Sequence, residues 1–249
     1  CQRYRGIGRM SPGKALRAVE ETAGSCLTFD GEICDARYSK ACGGLTEDYR
    51  TAWEDREIPY LKSVPDAPVP HRPIETEEEA AGWILSGPEA YCNTKDEDLL
   101  ARILVGPDRE TRDFFRWTVE YDAAELAEIL HEKSGLDLGK LQAITPLRRG
   151  PSGRISMLRI TGSSKSAVVG KELEIRRWLS RSHLLSSAFV VRTEKNTRGE
   201  TERFVLHGAG WGHGVGLCQI GAAVMAERGL PAAVILQHYF RGALIEKIF

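Results

Sequence analysis

The chain has 249 residues, 42% of them hydrophobic and 28% charged, enough for one large domain or two small ones with ample apolar sequence for a core. Its 34 Lys and Arg against 35 Asp and Glu leave a formal net charge of -1, which excludes the basic field that a nucleic-acid binder sets against phosphates. The longest apolar stretches, such as 232–236, fall far short of the roughly 20 residues that span a bilayer, so no membrane span is expected and the segment reads as soluble.

The chain opens on Cys1 with no Met and no charged-then-apolar leader, and it reads as a trimmed or processed piece. Its six cysteines, Cys1, Cys26, Cys34, Cys42, Cys92 and Cys218, include no Cys-x-x-Cys pair. They are expected to be buried free thiols, with room for one disulfide among them.

In chain order, residues 14–22 place Ala15, Ala18 and Val19 on one face and stop at Gly24, which predicts a short helix. The runs 26–29 and 33–38 flank Asp30-Gly31 and predict a hairpin. The loop that follows carries Tyr49, Trp53 and Tyr60 and is too aromatic for a disordered linker. Residues 65–73 hold four prolines, mark the expected lobe boundary, and precede an acidic run, 75–79, that opens a helix. Strands are expected over 115–121, 141–145, 155–160, 188–192 and 203–207. Helices are expected over 123–133, 170–179, 219–228 and 231–239. Hairpins mixed with separate helices predict an α+β fold of mixed or antiparallel strands. The expected lobes are 1–66 with 184–249, and 74–183.

The densest motif is HGAGWGHGVGLCQIGA at 207–222. Its glycines miss both nucleotide fingerprints: Val215 stands where the third glycine should be, and no Gly-Lys-Ser/Thr follows. Glycine permits positive φ and close backbone approach. Alternating it around Trp211 and His213 can bring bare backbone and two flat rings against a sugar, whose ring faces stack and whose hydroxyls bond. A tight strand-to-helix turn, with His213 bonded to its own backbone, explains the same pattern.

RRGPSGR at 148–154 sets arginines at both ends of a Pro-Ser-Gly turn, which suits either a bidentate carboxylate or a salt-bridged loop. ARYSKACGGLTE runs Tyr38, Ser39 and Lys40 into the double glycine Gly43-Gly44. Other chemistries fit poorly. Gly150-Pro151-Ser152-Gly153 misses the nucleophile-elbow spacing. Cys218 follows His213 by five residues but on an apolar flank that favours packing. No His-Glu-x-x-His is present, and Cys34 with Cys42 offers two metal ligands at most.

Together these stretches resemble the SpoIID/LytB family of bacterial cell-wall proteins. GAGWGHGVGLCQIGAAVMAERG with VILQHYFRGALIEKI carries its signature; CQRYRG, ARYSKACGGLTEDYRTAW with PYLKSV, and RGPSGRI before EIRRWLS follow the family in order, so that the likeness covers 1–249 as one domain. The resemblance implies a two-lobed domain around a glycan cleft, acting on peptidoglycan glycan strands at the periplasm or cell surface. Its sporulation members are lytic transglycosylases of denuded strands. There one carboxylic acid protonates the glycosidic oxygen while the sugar's own hydroxyl attacks the anomeric carbon, leaving a 1,6-anhydro end.

The family's catalytic glutamate lies in a Glu-Met-Pro-like segment upstream of CQRYRG, and no Glu-Met-Pro occurs within 1–249. The proton donor is therefore expected ahead of Cys1, and neither Glu47 nor Glu54 is assigned the role. Trp211, His213 and Gln219, with Arg149, Ser152, Arg154 and the turn holding Tyr38, Ser39 and Gly43, would line the cleft, His213 orienting substrate or acid. Some members hold zinc in a Cys/His cluster near the position of Cys1, which makes Cys1 one candidate ligand; a lipidated N-terminal cysteine is another reading of it. The rival function is a non-catalytic wall-binding module that assists a cell-wall amidase.

Overall fold

The computed structural model describes residues 12–104 and 106–248; Cys1 and CQRYRG lie outside them. The fold is α+β, with antiparallel sheets and separate helices, as expected. Two compact units divide it at 35/36 and 241/242. The expected boundary at 65–73 falls inside the second unit.

The first unit holds helix α1 (Pro12–Glu21) and a three-stranded antiparallel sheet of β1 (Ser25–Phe29), β2 (Glu32–Ile33) and β11 (Leu244–Lys247), with β1 central. Asp30 and Gly31, at φ 51° and 81°, make the primed turn that an Asp-Gly hairpin requires.

The second unit is built on two three-stranded antiparallel sheets. In one, β9 (Thr201–Ala209) lies between β4 (Arg116–Asp122) and β8 (Phe189–Lys195). In the other, β6 (Ile155–Gly162) lies between β5 (Leu141–Arg149) and β7 (Ser166–Val169). Alternate burial along β6 aims Leu158 and Ile160 into a core with Phe189, Phe204 and Leu206. Helices α5 (Ala123–Ser134) and α6 (Glu172–Trp178) supply that core with Leu126, Ile129, Leu130 and Ile175. A smaller core, Leu45, Ile74, Ala80, Ile84, Ala188 and Ala209, seats helix α3 (Glu77–Leu85). Thr76 and Glu79 close a reciprocal capping box at its start, so the acidic run begins the helix where sequence placed it.

Several elements differ from expectation; the single strand expected over 33–38 is two short ones, Glu32–Ile33 and Tyr38–Ser39. Strand β5 runs on to Arg149 through two irregularities beside Pro146 and Arg148, which break its alternation. Strand β7 has four residues, too few for a periodic signal. Helix α4 (Glu97–Ile103) buries Leu99 and begins on an Asp96 cap that accepts from the Leu99 N–H.

Leu158 is fully buried, and Leu158→Ala is expected to cost about 2–5 kcal/mol by leaving a cavity. The exposed cap change Thr76→Ala should cost about 1 kcal/mol. Urea unfolding midpoints test that order.

Candidate functional site

The 36–48 turn and the glycine-rich motif are joined by main-chain bonds along their length. Strand β3 (Tyr38–Ser39) pairs in parallel with β10 (Leu217–Cys218). Ala41 and Trp211 exchange both N–H···O bonds, at 3.0 and 2.7 Å, and the Glu47 N–H donates to the Gly214 carbonyl at 2.9 Å. Helix α7 (Gln219–Glu227) starts directly behind.

The Arg154 side chain is buried under this junction, its guanidinium at 0% exposure for the residue. Nη1 and Nη2 both donate to the Cys42 carbonyl at 3.1 Å, Nε donates to Gly212 O at 3.2 Å, and Nη1 also reaches Ser152 Oγ at 2.9 Å. A Cβ on Gly214, where φ is 78°, would come within 2.4 Å of Arg154 Cζ. Gly214, and Gly210, whose Cβ would come within 2.9 Å of Arg154 Nη2, thus make room for a cation within the protein.

Ser152 hands the contact on. Its hydroxyl accepts from Arg154 and donates to Glu47 Oε2 at 2.6 Å. Glu47 Oε1 accepts from the Asp48 N–H at 2.7 Å and from Thr51 Oγ1 at 3.1 Å. Gly150 is required here, because a Cβ would lie 2.3 Å from Oε1. Burial pushes the Glu47 carboxyl up to about 7, against the pull of the Ser152 bond and the Arg154 charge. Its side chain is 0% exposed, so it props the site from within. Glu54 is exposed beside Arg56.

Next to this buried layer sit aromatic rings, Trp53, Trp211 and His213 half-buried and Tyr49 buried. The His213 ring lies edge-on to Trp53, centroids 4.6 Å apart, and Trp53 stacks on Tyr49 at 5.4 Å. The Arg37 guanidinium covers Trp53 at 3.9 Å, and Lys40 lies 5.7 Å from the Trp211 ring while pairing with Asp108 at 3.0 Å. His213 Nδ1 accepts from the Val215 N–H at 3.1 Å, which puts the ring proton on Nε2. Burial, then the charges of Arg154, Arg176 and Arg37, bring His213 down to about 3, so it is a neutral donor across the physiological range.

The residues picked from sequence therefore fall into two groups. Tyr38, Trp211, His213 and Gln219 are half-buried and reach the surface. Ser39, Gly43, Ser152 and Arg154 are buried, and the Ser39 hydroxyl has no hydrogen-bond partner among the described residues. Arg149 spends its donors on Glu77, in a bidentate pair at 2.7 and 2.9 Å, and on the Gly153 and Phe189 carbonyls. Sequence reading did not pick Arg37 or Trp53, nor Glu47 as the acceptor that RGPSGR encloses. A serine and two glycines beside a loop glutamate carry no spacing signature.

Because the folded state raises Glu47 from 4.5 to about 7, the native state binds its proton more tightly than the unfolded chain. Stability from this group is undiminished below pH about 4.5 and falls as pH rises through about 7, by on the order of 3 kcal/mol. Glu47→Gln should remove that loss. Denaturation curves of both proteins between pH 4 and pH 8 test it, and parallel pH profiles would contradict the buried-acid description.

The family model described as Domain of unknown function (DUF8618) matches residues 47–216, from the buried glutamate into the glycine motif. The amidase enhancer of Bacillus subtilis (strain 168) is 25% identical over 92% of this chain and 32% of its own length. Stage II sporulation protein D of the same organism is 25% identical over 94% of this chain and 51% of its own length, and that of Bacillus amyloliquefaciens 24% identical over the same shares. The chain thus spans from 32% to 51% of the length of these curated relatives. The chain belongs to the family of the domain of unknown function DUF8618, and its likeness to these relatives bears out the SpoIID/LytB resemblance.

Proposed function

We propose that the face formed by Tyr38, Trp53, Trp211, His213 and Gln219 binds peptidoglycan glycan strands outside the cytoplasm. In the whole protein, a lytic-transglycosylase-type cleavage of denuded strands would take place against this face. The observation that carries the reading is the neutral imidazole of His213, fixed as an Nε2–H donor beside aromatic rings. Such a surface offers a sugar both a stacking plane and a hydroxyl partner without the desolvation of a full charge.

In that chemistry a single carboxylic acid gives its proton to the bridging oxygen, and the sugar's own hydroxyl closes the anhydro ring. The donor is proposed to be the glutamate that the family carries ahead of the Cys1 motif. Glu47 does not compete for the role. Its oxygens are bound by Asp48, Thr51 and Ser152, and its side chain is wholly buried. Its part is to hold the Ser152 turn against Arg154, and through it the backbone that presents Trp211 and His213.

The amidase enhancer among the relatives supports a second reading, in which the same glycan-binding face recruits a cell-wall amidase and no bond is cleaved here. Among the described residues no helix is long and apolar enough to cross a membrane.

Whole protein incubated with denuded glycan strands should yield 1,6-anhydro ends by mass spectrometry. Binding without such ends would favour the amidase-assisting module, and neither binding nor ends would overturn the proposal. His213→Ala should weaken glycan binding by about 10-fold, the worth of one hydrogen bond and one ring contact. With His213 neutral above pH 4, that deficit should be the same at pH 5 and pH 8; a deficit growing toward acid would show an imidazolium at work.

A further inference from the structure

Cys42, Asp66, Cys92 and Cys218 come from four separate stretches of chain, yet one ligand atom from each lies within 4.8 Å of all the others. All four residues are buried, at 0–2% exposure. Cys42 and Cys92 have their sulfurs 3.7 Å apart and are not bonded, and no disulfide links the cysteines of the described residues. We propose that these three thiolates and one carboxylate bind a zinc ion, a structural site distinct from any ligand role of Cys1.

The geometry fits the ion. Four-coordinate zinc holds sulfur at about 2.3 Å, so two sulfurs on a tetrahedron stand about 3.8 Å apart. The Cys42–Cys92 separation already has that value. A 2Fe–2S or 4Fe–4S cluster asks for four cysteines, and a hard carboxylate is a poor partner for Cu(I), so three sulfurs with one oxygen favour zinc. The remaining bonds orient the ligands rather than consume them. Asp66 Oδ2 accepts from the Cys92 N–H at 2.8 Å, and Oδ1 from the Tyr239 hydroxyl at 2.5 Å. Cys218 Sγ accepts from the Cys42 and Gly221 N–H groups at 3.3 and 3.4 Å. Such outer bonds are what a metal site uses to fix its ligands.

Zinc entering the site would displace the thiol protons to solvent and leave each ligand bonded to the metal. The consequence reaches the surface site, because Cys42 supplies the carbonyl that Arg154 grips and Cys218 immediately precedes Gln219. The ion would fasten the turn, the 66 and 92 loops and the start of α7 to one point.

The test uses whole protein carrying Cys1→Ser, so that the N-terminal thiol contributes nothing. About one zinc per chain should survive dialysis, appear by plasma mass spectrometry, and be released by a mercurial reagent. X-ray absorption at the zinc edge should give predominantly sulfur neighbours near about 2.3 Å with one light-atom neighbour. Cys92→Ser should lower zinc affinity at least tenfold in competition with a chromogenic chelator; this needs no activity readout. Protein that neither retains nor takes up zinc overturns the proposal, as does a zinc shell without sulfur or a Cys42–Cys92 disulfide found by peptide mapping. The absorption spectrum is read on protein with these four ligands intact, so a variant that fails to fold does not obscure the answer.

Discussion

The site depends on one buried cation. Arg154 has no solvent to share its charge, and its donors end on two backbone carbonyls and a serine hydroxyl from three chain segments. A guanidinium can serve all three because its donors form a rigid planar fork. Remove it, and Cys42 O and Gly212 O face each other across a space with no donor, which is the costly way to leave buried acceptors. Glu47 and Ser152 complete the arrangement: the carboxylate lies close enough to Arg154 to balance it in part, through the serine that bonds both.

That constraint explains the composition of the glycine motif better than direct ligand contact does. Gly214 is small because Arg154 fills the space where a side chain would go. Trp211 and His213, which alternate with the glycines, are half-buried, and His213 lies edge-on to Trp53. One short run of sequence thus both packs on a charge at Gly214 and carries two half-buried rings. Neutral His213 follows from the same source, since the Arg154 charge adds to burial in disfavouring an imidazolium.

Much of this was legible in sequence and some of it was not. Helices α5, α7 and the helix over Ala232–Tyr239 stand where periodicity and glycine stops place them, because their apolar faces meet the core at helical spacing. The hairpin at Asp30-Gly31 was readable from turn chemistry alone. RGPSGR and GWGHG could each be singled out, but not the fact that Arg154 of the one passes beneath Gly214 of the other. Long-range packing of a charge leaves no local period. The same limit hid the meeting of Cys42, Asp66, Cys92 and Cys218. Their separations along the chain resemble no short metal motif, and Cys218 reads as an apolar packing residue until the fold brings it to the other two. Trp53 read as an aromatic loop residue, and only the fold sets it against His213.

Contact of sugar with the rings of the glycine motif is most directly checked by spectroscopy. Denuded glycan strands titrated into isotope-labelled protein should shift the indole N–H signals of Trp53 and Trp211 and the ring signals of His213 together. The signals of the basic cleft of about 320 Å³ lined by Arg50, Arg148 and Arg149 should stay in place. Shifts confined to that cleft, with Trp211 and His213 unmoved at saturation, would contradict the account.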